Sequence, residues 1–122
     1  MTSVVSTKYY VLDDSSRDLL LSMSVGKGQI SSSTIRLNTA TIETGIRNGF
    51  KGRLIGNPST LHNTILVLDV TVDDINPHTN DTMIDVKLSN GAIEQHQRFS
   101  GTADKDGGVV HYHLTYFLKV RQ

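Results

Sequence analysis

The feature that most restricts this chain is a twelve-residue alternation near its C-terminal end. From Val109 to Val120, one parity reads Val110, Tyr112, Leu114, Tyr116, Leu118, Val120. The other reads Val109, His111, His113, Thr115, Phe117, Lys119. Successive strand side chains point to opposite faces, so the first parity is an apolar face that needs a core. The second is mixed and suits water or a partner. A strand of this length spans roughly 40 Å at about 3.3 Å per residue, so it should cross a whole sheet, or bend. Just upstream, Asp106-Gly107-Gly108 suits the positive φ angles of tight turns, and residues 93–120 read as one long β-hairpin closing there. That stretch holds four of the seven aromatic residues and three of the five histidines.

The rest of the chain carries the same period-two signature in shorter pieces. Strands are expected over residues 8–12, 19–25, 29–37, 64–72, 82–88 and 92–99, with a shorter one over 52–56. Residues 1–7 read as a flexible arm or a lead-in, and 13–18 as a polar turn. The Ser/Thr-rich segment 29–37 suggests an edge strand. In 64–72, the run Ile65-Leu66-Val67-Leu68 is apolar on both faces, as a central strand should be. Residues 38–50 are ambiguous: Ile42, Ile46 and Phe50 recur at helical spacing, but three threonines and Gly45 oppose a helix. A strand over 39–44 and a turn at Asn48-Gly49 are the expectation. Asn90-Gly91 is a strong two-residue hairpin signal. About eight strands in 122 residues predict a single all-β domain over 1–122, an antiparallel β-sandwich, with a flattened β-barrel as the alternative.

Composition narrows the function classes. Twelve Lys+Arg balance twelve Asp+Glu, with no block of like charge longer than a pair. A nucleic-acid surface would need clustered cations to displace counterions, so no nucleic-acid partner is expected. A chain with no net charge also has little to keep copies apart, which favours self-association. No cysteine is present, which rules out disulfides, zinc–thiolate sites and a thiol nucleophile. No apolar run is long enough for a membrane span. The first residues lack the basic and apolar regions of a secretory leader, so a cytoplasmic location is expected, with export by another route as the alternative.

Two constellations could carry chemistry. His111 and His113, two apart on a strand, put both imidazoles on one face about 7 Å apart, where they could chelate Zn²⁺ with His96 or Glu94 of the preceding strand as a third ligand. The loop holding Asp73, Asp74, Asn76, Asn80 and Asp81 offers the oxygen ligands that Ca²⁺ takes, although these residue types also serve turn geometry. No Gly-x-Ser-x-Gly nucleophile motif or phosphate-binding loop occurs. The exposed parity Val109, His111, His113, Thr115 and Phe117 is the candidate interface. The sequence therefore points to a non-catalytic binding or assembly module acting through a sheet face, with a protein partner or a second copy. The alternatives are a metal-dependent binder or enzyme centred on His111 and His113, and a calcium-assisted carbohydrate-binding module using the aromatic residues.

Overall fold

A computed structural model describes residues 2–13 and 17–120. The middle of the polar turn expected at 13–18 lies outside the described residues. Nine strands are seen among them: β1 (Thr2–Leu12), β2 (Leu19–Val25), β3 (Ile30–Leu37), β4 (Ala40–Arg47), β5 (Phe50–Gly56), β6 (Thr64–Asp73), β7 (Asp81–Asn90), β8 (Ile93–Thr102) and β9 (Val109–Val120). A single helical turn, α1 (Pro58–Leu61), joins β5 to β6. Its Asn57 cap accepts from the Ser59 backbone N–H.

The strands form two sheets packed face to face, as the alternation requires. One has five strands in the order β1-β9-β6-β3-β4, the other four in the order β5-β2-β7-β8. All neighbouring pairs are antiparallel except β1 and β9. The apolar parities face each other across the core: Leu66, Leu68, Val70 and Val72 of β6 and Val110 to Leu118 of β9 meet Leu19, Leu21 and Met23 of β2 and Ile84, Val86 and Leu88 of β7. Burying each leucine fully is worth about 1.5–3 kcal/mol. The sandwich, the β9 parity and a tight hairpin between β7 and β8 are as expected, but Asn90 pairs with Ile93, so the two turn residues are Gly91, at φ 59°, and Ala92.

Four expectations are corrected. Residues 93–120 are not a hairpin, because β8 pairs with β7 and β9 pairs with β1 and β6 in the opposite sheet. The Asp106-Gly107-Gly108 segment turns with Gly107 at φ 73°, but it carries the chain across the sandwich. Six residues separate the strands, and Ala103 among them is buried in the core, so the link bridges two sheets instead of closing a ladder. Residues 2–7 are no arm: they run within β1, in register with Val110 to Thr115 of β9. Segment 29–37 is no edge, since β3 lies between β6 and β4 with Ser31 and Ser33 buried. Small serines on its inner face leave room for the opposite sheet, and low apolar content there was misleading. Residues 52–56 belong to a seven-residue strand, β5, which begins at Phe50.

Three tyrosines from the five-stranded sheet peg it to β7 and β8. The Tyr10 hydroxyl donates to the Ile93 carbonyl (3.2 Å), Tyr116 donates to Gln97 Oε1 (3.1 Å), and Tyr112 shares a hydrogen bond of 2.5 Å with Thr82. Each buried ring thereby has a partner for its hydroxyl, which a core tyrosine needs. Gly101 makes room for Val110 and Val4: a Cβ there would lie 2.9 Å from Val110 and 3.0 Å from Val4.

Candidate functional site

The site grows from register. The pairing of β6 with β9 sets Asp69 opposite His113 and Thr71 opposite His111. All four belong to the parity that faces away from the core, on the outside of the five-stranded sheet. Asp69 interrupts an otherwise apolar run, Ile65-Leu66-Val67-Leu68-Asp69-Val70, and projects outward where its neighbours Leu68 and Val70 project inward.

Here the structure brings together what the sequence kept apart. His113 Nδ1 lies 2.5 Å from Asp69 Oδ1, and His111 Nε2 lies 3.4 Å from the same oxygen. An ionised carboxylate only accepts, so the His113 Nδ1–H is the donor in the shorter contact. His111 Nδ1 is 3.2 Å from Thr71 Oγ1. The other Asp69 oxygen, Oδ2, pairs with the Arg36 guanidinium from β3. The side chains are partly buried, Asp69 the most at 17% exposed. One potential ligand atom from each of Asp69, His111 and His113 lies within 4.8 Å of the others. Among the described residues this is the sole group of three or more histidines and carboxylates so gathered.

The other expected ligands lie elsewhere. His96 is on β8, opposite Lys87 in the four-stranded sheet, with Nε2 3.8 Å from Asp85. Glu94 lies on the same strand, 3.7 Å from Lys87. Both needed β8 beside β9, and they go with the corrected hairpin. Asp69 takes the third place. Its sequence signal was the single charge within a central apolar strand, but only the register links it to the histidines.

The acidic loop does not gather its carboxylates. Asp74 Oδ1 accepts from Gln29 Nε2 at 2.9 Å, while Asp81 Oδ1 accepts from the Thr102 hydroxyl at 3.0 Å. Asp73 ends β6. Asn76 bonds Lys27 and His78 backbone groups, and the Asn80 carbonyl accepts from Ala103 N–H. The organiser is Gln29. Its Oε1 accepts from Ile75 and Asn76 N–H at 2.8 and 2.9 Å, and its Nε2 also reaches the Thr79 and Asp81 carbonyls. Thus a neutral amide N–H₂ sits among the oxygens that a cation would share. Asn90 acts similarly at the far end, its side chain holding Asp13 N–H and the Arg17 carbonyl. Nothing in the local sequence marks either residue for such work.

The expected interface residues share one face with the trio. Phe117 stacks on Tyr9 of β1, ring centroids 5.4 Å apart and tilted by 30°. Across β9 it faces Ile65 of β6, which makes a three-strand apolar row. Tyr9 and Val5 are each 70% exposed and Val11 47%, all on the outward parity of β1. Thr115 sits opposite Val67, and Val109 opposite Asp73 at the end of the ladder. A concavity of about 530 Å³ lies on the outside of the four-stranded sheet, between Ser22, Ser24, Phe50, Lys51, Asp85 and His96. No protein-family model, curated protein or solved structure matches this chain.

Proposed function

We propose that this protein is a binding or assembly module without catalysis of its own, which docks through the outer face of its five-stranded sheet. The observation that carries the reading is the row of Val5, Tyr9 and Val11 on β1, exposed beside Phe117 and Ile65. Leaving several large apolar side chains in water on one face costs free energy that docking recovers, at roughly 25 cal/mol per Å². Tyr9 and Phe117 in one apolar row, with Arg36, Asp69 and the two histidines on the same face, match the makeup of contact surfaces.

The partner that fits best is a second copy, since a chain of zero net charge meets no long-range repulsion from itself. Docking is by the face rather than by extending the sheet. Although β1 is an edge strand, Lys8 stands exposed on its inward parity, a device that discourages another strand from pairing there. Light scattering after size exclusion tests the reading. The wild type should exceed the 13.4 kDa monomer, and Val5→Asp with Tyr9→Asp should return it to that mass. A wild type that stays monomeric at high concentration would refute self-association.

A further inference from the structure

We propose that Asp69, His111 and His113 form a binding site for a divalent first-row transition ion of the Zn²⁺ class, with an open coordination position facing out from the sheet. Two imidazoles and one carboxylate are the donor types such ions take. Ligands about 2.1 Å from a tetrahedral ion lie about 3.4 Å apart. His111 Nε2 is already 3.4 Å from Asp69 Oδ1, and His113 Nδ1, at 2.5 Å, needs to open by less than 1 Å. The two imidazole ligand atoms lie within 4.8 Å of each other and must close toward about 3.4 Å by side-chain rotation, while neighbouring β6 and β9 hold the three residues in register.

The surroundings fit ligation. A histidine bound through Nε2 carries its proton on Nδ1, and Thr71 Oγ1 stands 3.2 Å from His111 Nδ1 to accept it. Arg36 holds Asp69 Oδ2, which leaves Oδ1 as the oxygen aimed at both rings. The guanidinium is also a like charge beside the ion, which favours modest affinity over very tight binding. Three protein ligands leave a fourth position for water or for a donor from a docked molecule. The site stands independently of the docking reading, because it is complete within one chain.

The test is calorimetric titration of Zn²⁺ into untagged protein stripped with a chelator, at concentrations where the mass is that of one defined species. One equivalent should bind saturably. His113→Ala and Asp69→Asn should each lower the affinity at least tenfold, and His96→Ala should leave it unchanged. Far-ultraviolet circular dichroism of the metal-free variants checks that they remain folded, and His113→Gln supplies a second variant of similar shape. Co²⁺ in place of Zn²⁺ should give the visible absorption of a tetrahedral site, lost in the same variants. Absence of saturable binding would overturn the proposal, as would equal affinity in His113→Ala, His113→Gln and wild type. Either failure leaves the mass measurement for docking unaffected, so the two readings fail separately.

Discussion

The two outer faces of the sandwich are built on opposite principles. On the four-stranded sheet, charges alternate in sign and answer one another across strands: Arg98 Nε donates to Asp85 at 2.9 Å, and Lys87 lies 3.7 Å from Glu94. Such a face is content in water, and its ion pairs are worth little individually. On the five-stranded sheet, Arg36 and two histidines gather around Asp69, and β1 presents Val5, Tyr9 and Val11. One sheet spreads its polarity around a single exposed pair, Leu20 and Leu54, and the other sets its polar cluster beside a longer exposed apolar row. The proposed docking through the five-stranded sheet rests on this contrast and on no sequence motif.

The largest expected effect separates the inside of that sheet from its outside. Tyr112→Ala, on the inward parity of β9, should cost about 3–5 kcal/mol in denaturant unfolding, whereas Thr115→Ala on the outward parity should cost under about 1 kcal/mol. Similar losses for both would mean that the outer face is covered as well. Next comes a matched pair of charges, one per face. Tyr9→Asp should weaken self-association with little loss of stability, and Leu54→Asp on β5, also exposed, should leave the mass unchanged. If both variants dissociate the protein, the asymmetry between faces is not what drives assembly.

Alkaline pH probes the tyrosine pegs on the inner side of the five-stranded sheet. Burial, with help from the charges of Asp13 and Glu94, pushes the Tyr10 hydroxyl up to about 12, and burial pushes Tyr116 higher still. In an unfolded chain tyrosine titrates near pH 10. Below about pH 10 both states keep their protons and the full stability is present. Above it the unfolded chain ionises while the folded one does not, so stability falls until the folded groups ionise in turn. The denaturant midpoint should therefore drop progressively from about pH 10 to about pH 12, and Tyr116→Phe should flatten the slope. The smallest effect belongs to the polar face: Lys87→Ala should change stability by under about 0.5 kcal/mol. A larger loss would show that the surface ion pairs there hold the sheet together.

Legibility in the sequence followed the range of the physics. The parity of β7 and β9 was readable because side-chain alternation is a property of a single strand. The trio was half readable: the two histidines lie two residues apart, but Asp69 is more than forty positions away by number and joins them only through register. Gln29 and Asn90 were not readable, because their hydrogen bonds run to residues about 45–77 positions distant and amide side chains carry no periodic signal.

By itself the sequence determined that the chain is all-β, a sandwich or a flattened barrel, and which side of most strands is buried. Apolar alternation, turn residues and the absence of stapling chemistry leave few other ways to hide that much surface. The tertiary structure alone decided which strands are neighbours. The aromatic-bearing strands β8 and β9, consecutive in the chain and separated by a turn sequence suited to a hairpin, went to opposite sheets, and β1 took the place beside β9. A turn sequence states that the chain can reverse. Whether the reversed strand pairs with its predecessor or crosses the core depends on which arrangement buries both inner faces, and that is settled by the whole set of strands at once.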